Sequence, residues 1–347
     1  MKYRENNFDL IRLVAAFQVV IVHSAEHLSL DIPFLGIISL FPGVPIFFVI
    51  SGYLISASYE RSMCISEYWK NRVLRIFPGL WFCLLISIVS VFGFLSIDPS
   101  FDFWLWLVAQ LTFVQFYNPD FLRGYGVGVL NGSLWTITVE LQFYLSLPIF
   151  YWILRKCQYK NYVFLLIWIP LIFYGQFFNE YKGTSIYFKV IGITVFPYLY
   201  LFLLGVYIQR NKWIEKILVK KFFYLLVIYL SLSTIFNKCG LIVEGNQINI
   251  VSAMFLGLLT ISAAYSSTST LSKILKGNDI SYGLYIYHMI FINMAVEYGF
   301  ENFISFFAVI FCSILMSCLS WLYVEKPSLK LKKHSLRKQL EKEGQVE

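Results

Sequence analysis

Long apolar runs with almost no charge inside them recur along the whole of this chain, and no other feature constrains its fold as strongly. A helix needs about 20 predominantly apolar residues to cross the hydrocarbon core of a bilayer. Such runs fall near residues 8–28, 36–57, 76–97, 134–154, 162–178, 190–209, 222–237, 248–265, 281–298 and 304–324. Only 14% of the 347 residues are charged and 58% are hydrophobic, whereas a soluble domain carries about a quarter charged residues. The expected fold class is an all-α integral membrane protein with about ten transmembrane helices. Residues 1–327 are expected to form one transmembrane domain and residues 328–347 a short basic cytoplasmic tail. Disorder, collagen and coiled coil are excluded.

The placement of charge sets the expected orientation, because cytoplasmic loops carry an excess of Lys and Arg. With Lys2 and Arg4 inside, Arg61, Lys70, Arg72 and Arg75 follow the second run on the same side. If the short apolar stretch Phe101–Phe116 does not cross, the clusters Arg155–Lys160 and Arg210–Lys221 are also inside, as are Lys273, Lys276 and the tail. Both termini are therefore expected in the cytoplasm, with Phe101–Phe116 an interfacial or re-entrant helix on the outer side. Arg12 interrupts the first run and no cleavage site follows it, so that run reads as an uncleaved transmembrane helix. The net charge of +8 belongs to this topology and is a poor argument for nucleic acid. The six cysteines are scattered without metal-ligand spacing and read as small core residues.

Ionisable groups inside a span are expensive, so each is a functional candidate. Arg12 and His23 in the first span are eleven residues apart, which places them on one helix face about 16 Å apart along the axis. Glu140 in the fourth span is expected about 9 Å below the outer surface, a depth close to that of His23, and an imidazole is a natural partner for a buried carboxylate. The alternative is that Glu140 pairs with a neighbour such as Gln142 or Tyr144 for packing. Arg72 and Arg75, three apart on a helical turn, can hold phosphates in a fork or can anchor the loop to anionic lipid. The run Pro42–Gly52, which ends in Ser51 and Gly52, breaks the second span with prolines and glycines, which reads equally as backbone lining a cavity and as a plain kinked helix. His288 in the ninth span reads equally as a tunnel-lining donor and as a packing histidine. Asn131-Gly132-Ser133 fits a glycosylation sequon but is expected to serve as a turn and an N-cap. The chain has no phosphate-binding lysine loop, nucleophile elbow or Cys/His metal cluster, and no metal is expected.

Several segments taken together resemble the membrane-bound acyltransferase family 3, which acylates carbohydrates of the cell envelope. They are Asn7–Leu13 with the Arg12-to-His23 spacing, Phe47–Ile55, Arg72-x-x-Arg75, Ser133–Tyr144 and Tyr323–Pro327. Two positions depart from the common pattern: Pro45 stands where many members have Asp before the Phe-Phe run, and Leu141 where many have a second Glu. The periplasmic hydrolase-like domain of longer members is expected to be absent, leaving acceptor handling to the membrane domain or to polysaccharide-assembly protein partners.

The resemblance implies a multi-pass protein of the inner (plasma) membrane that moves an acyl group, most often acetyl, from cytoplasmic acyl-CoA to a hydroxyl of an envelope or exported polysaccharide. Acyl-CoA is a co-substrate, and no bound cofactor is expected. On this reading Arg12, Arg72 and Arg75 bind the donor, while Ser51, Trp135, Tyr144 and His288 line the tunnel or substrate path. His23, kept basic by Glu140, is the catalytic base; direct attack and an acyl-histidine intermediate both remain open. The rival from another class is a transporter or flippase for a polysaccharide or lipid-linked sugar, because broken helices and buried charges are features of transporters as well.

Overall fold

The computed structural model describes residues 6–331 apart from residues 63, 94–99, 182, 242–244, 247, 267–274 and 276. Lys2, Arg4, Lys273, Lys276 and the tail beyond Leu331 lie outside the described residues. All regular structure among the described residues is helical. In chain order the helices are α1 (Phe8–His27), α2 (Leu35–Ser39), α3 (Gly43–Arg61), α4 (Ile65–Phe92), α5 (Phe101–Leu111), α6 (Trp135–Lys156) and α7 (Lys160–Tyr181). They continue as α8 (Ile186–Ile191), α9 (Leu199–Arg210), α10 (Lys212–Leu218), α11 (Phe222–Lys238), α12 (Ile250–Ala264), α13 (Ser281–Glu297) and α14 (Phe303–Ser320). A π-turn (Trp321–Glu325) follows α14.

Six helical segments among the described residues are long and apolar enough to cross a membrane, and a seventh counts if α10 and α11, bent by 84°, form one span. The chain is a multi-pass membrane protein. Among the described residues, eight of the ten expected spans each overlap one long helix, while the other two fall on two helices each. Residues 36–57 divide into α2 and α3, and residues 190–209 into α8 and α9. The second break has a local cause, since Gly192 and Pro197 flank it and Pro197 has no N–H to donate. Gln142 of α6 satisfies the unwound backbone there, donating to the Ile193 carbonyl at 2.9 Å and accepting from the Val195 N–H at 2.8 Å. An unwound segment inside apolar surroundings is tolerable only when its backbone groups find such partners.

The chain divides into two compact units. The first comprises residues 1–23, 31–60 and 134–279. Its centre is the crossing of α3 and α9, both buried on nearly every side. Added methyls at Gly52 and Gly205 would each strike the other helix's main chain, so glycine here permits direct backbone approach. Phe143 of α6 stacks on Phe202 at 4.4 Å beside this crossing. At the corner between α10 and α11, Lys220 adopts a left-handed φ of 64°.

The second unit comprises residues 24–30, 61–133 and 280–347. Helix α5, capped by Ser100, has 11 residues and spans about 16 Å, too short for a bilayer core of about 30 Å. It packs Phe103 and Trp106 against Leu84, Val91, Leu122, Tyr125 and Leu130. Helix α13 is buried on all sides, and Gly283 lets Ser317 of α14 approach it closely. Asn293 of α13 ties down the loop before α6, accepting from the Val127 N–H at 2.8 Å and donating to the Leu130 carbonyl at 2.8 Å.

Candidate active site

In the first unit, α1 and α3 run antiparallel. Gly43 packs against Ala15 and Val19 and donates its N–H to Gln18 Oε1 at 2.7 Å, while Phe8 and Tyr53 meet ring to ring at 5.1 Å. Rising numbers along α1 therefore pair with falling numbers along α3. His23 lies eight residues beyond Ala15 and Ser51 eight beyond Gly43, so each is about 12 Å from the crossing, in opposite directions. Arg12, three residues before Ala15, is on the Ser51 side.

The Glu140 carboxylate is also on the Ser51 side. Its Oε1 accepts a hydrogen bond from the Tyr144 hydroxyl at 2.5 Å, one helical turn along α6, and from the Ser51 hydroxyl at 3.4 Å. The structure thus brings together Ser51, Glu140 and Tyr144, and it sets them on the opposite side of the α1–α3 crossing from His23. The expected depth match fails because α3 starts level with Ala15, in the middle of α1, and carries Ser51 and its partner away from His23. Trp135, at the start of α6, packs on Tyr198 at 5.4 Å. Ser51 and Tyr144 are buried, whereas His23, Trp135 and Glu140 are half-buried.

Arg12 reaches across to an acid that lies just before α13. Its Nη1 lies 3.3 Å from Asp279 Oδ2, with the two side chains 20% and 7% exposed. No sequence pattern marks Asp279, because an acid just before an apolar run reads as a loop residue. Nearby, the Tyr53 hydroxyl donates to Glu215 Oε2 at 2.6 Å and lies 2.7 Å from the Tyr265 hydroxyl. Lys212 pairs with the same Glu215 oxygen at 2.8 Å. An apolar cavity of about 690 Å³ runs along α1 from Asn7 to Gln18, with Phe222, Leu256 and Lys220 among its other walls. It stops more than a turn short of His23.

In the second unit, Arg72 and Arg75 are half-buried on α4, with the Arg72 guanidinium 5.9 Å from the Tyr68 ring. His288 is fully buried, and its Nδ1 meets the Tyr285 carbonyl at 2.7 Å. A carbonyl only accepts, so Nδ1 carries the proton. The N-cap position of α6 falls on Leu134; the Ser133 hydroxyl donates to Asn131 Oδ1 at 2.7 Å, while Asn131 donates to the Ile286 carbonyl at 2.8 Å. Both side chains are buried and serve to fasten the loop to α13. Glu325, which entered the sequence reading only as part of a closing motif, is 2% exposed in the π-turn and accepts from Ser320 at 3.0 Å. Single π-turns of this kind often mark functional sites.

A family model described as an acyltransferase domain matches residues 5–325. The chain belongs to this acyltransferase family. Nodulation protein 10 of Rhizobium leguminosarum bv. viciae is 31% identical to the acyltransferase over 349 residues, covering 94% of each chain. The O-acetyl transferase of Shigella phage Sf6 is 31% identical over 150 residues, 41% of this chain and 45% of its own. O-acetyltransferase OatA of Staphylococcus aureus is 30% identical over 183 residues, 48% of this chain and 28% of OatA. No solved structure matches the acyltransferase.

Proposed function

We propose that this acyltransferase moves an acetyl group from acetyl-CoA in the cytoplasm to a hydroxyl of an envelope or exported polysaccharide, across the inner membrane in which it is embedded. The carrying observation is the acyltransferase match over residues 5–325, joined to the O-acetyl transfer named for two relatives. The topology proposed for this reaction has ten crossings, with the residue 36–57 and 190–209 spans broken and both termini cytoplasmic.

In this reading His23 is the general base that takes the proton from the attacking sugar hydroxyl, a role worth about 10²–10⁴-fold in rate. The hydroxyl oxygen then forms a bond to the thioester carbonyl carbon and the thiolate of CoA leaves. Glu140, on the inner side of the α1–α3 crossing, accepts hydrogen bonds from the amide N–H groups of the donor's pantetheine arm, and Tyr144 and Ser51 hold it in place. Arg12 marks the same inner path, while Arg72 and Arg75 attract the donor's phosphates. The test is mass spectrometry of envelope glycans from cells expressing the wild type and His23→Ala. A base-labile acetyl increment present only with the wild type is expected; an unchanged glycan with altered export would overturn the reading in favour of a transporter.

A further inference from the structure

Three cationic side chains from separate helices border one small cavity in the first unit. Arg155 lies in the last turn of α6, Lys160 opens α7 and Arg210 ends α9. Together with Glu60, Tyr151 and Leu154 they line a space of about 230 Å³. Glu60 provides the negative charge of the lining, and three cations against one carboxylate leave a formal charge of +2. Like charges gathered in a partly dry space repel, and an anion between them removes that penalty.

The interior of the cavity is built rather than incidental. The Glu60 carboxylate accepts from the Tyr151 hydroxyl at 2.8 Å and from Gln209 Nε2 at 2.9 Å. Ser56 completes the network, 2.7 Å from the Tyr151 hydroxyl and donating to Gln209 Oε1 at 2.7 Å. Arg210 leans over the Tyr151 ring at 5.0 Å, and its Nη1 is buried with no hydrogen-bond partner. A buried guanidinium N–H left without an acceptor is destabilising. Its planar donors suit the oxygens of a phosphate.

We infer that this cavity binds a phosphate monoester. Such a group carries about −1.5 to −2 at neutral pH, which matches the charge of the lining. Resting on the reading proposed above, the monoester is the one on the ribose of the CoA donor; the same chemistry is also offered by phosphatidic acid of the membrane. Arg155 and Lys160 are exposed and capture the anion, and Arg210 receives it.

The full chain in phosphatidylcholine nanodiscs is titrated with adenosine 3′,5′-bisphosphate, and in parallel its retention of phosphatidic acid is read by native mass spectrometry. Saturable nucleotide binding is expected for the wild type, weakened about tenfold or more in Arg210→Gln and in the double variant Arg155→Ala with Lys160→Ala. The double variant alters exposed side chains only, so it guards against loss of binding through misfolding. Equal nucleotide binding and equal lipid retention in all three proteins would overturn the cavity assignment while leaving the CoA donor intact. If no form binds the nucleotide, but phosphatidic acid is retained by the wild type and lost from the variants, the phosphate cavity stands and the CoA donor falls.

Discussion

Gly52 and Gly205 hold α3 and α9 in backbone contact: a methyl added to Gly52 would enter the Phe202 carbonyl, and one added to Gly205 the Val49 carbonyl. The Ser51-Gly52 pair therefore has two duties, the hydroxyl reaching Glu140 and the glycine admitting its neighbour. Overpacking of this kind costs about 1–3 kcal/mol. Gly52→Ala and Gly205→Ala should each lower the thermal midpoint measured by fluorescence-detected size exclusion in detergent. Gly36→Ala, where nothing lies within 4 Å of the added carbon, should not.

His23 and Glu140 should separate in steady-state kinetics. His23→Ala is expected to lower kcat by about 10²–10⁴-fold with little change in the donor KM. Glu140→Gln, which keeps the shape but changes the hydrogen-bonding of a carboxylate held by Tyr144 and Ser51, should act mainly on the donor KM. Equal kcat losses of the same size in both variants would restore a direct partnership between the two residues.

Arg12 and Asp279 should behave as a unit. Removing one partner of a buried pair weakens the compensation of the other charge and costs about 3–5 kcal/mol; the 20% exposure of Arg12 gives water access and places this pair toward the low end. Asp279→Asn and Arg12→Gln should each reduce folded protein. The double variant should lose less than the sum, giving a positive coupling in a double-mutant cycle. Strict additivity would show that the pair contributes no coupling.

Two exposed cysteines report topology. Cys64 precedes α4 and Cys239 follows α11, and the proposed arrangement puts them on opposite sides. A membrane-impermeant maleimide added to intact cells should label Cys239 and spare Cys64 until the membrane is opened. The hydrogen bond with Ser66 holds the Cys64 thiol below its ordinary range. Its labelling should therefore approach its maximum at a lower pH than that of an unperturbed thiol, because the thiolate is the reactive form. Reversed labelling would invert the topology.

The helices were legible in the sequence because apolar length is a one-dimensional signal, and the shortness of the helix Phe101–Leu111 followed from the same arithmetic. What the sequence concealed was depth. Assigning Glu140 and His23 to one level assumed that every helix begins at a surface, whereas α3 begins beside Ala15. Partnerships over long separations were also hidden: Asp279 is 267 residues from Arg12, and no local pattern joins them. Gln142 shows the opposite case, a residue visible as part of a motif whose task, satisfying an unwound backbone, appears only once α8 and α9 are seen to be separate.

The close approach of Gly43 to Ala15 makes that point of α1 a fulcrum. Arg12 lies three residues to one side of it and His23 eight to the other, so any tilt of α1 swings them in opposite senses and carries His23 through the longer arc. A donor that draws Arg12 inward on arrival would by the same motion reposition His23. In the proposed mechanism this lever would couple donor arrival at the Arg12 end of α1 to the placement of His23 at the other.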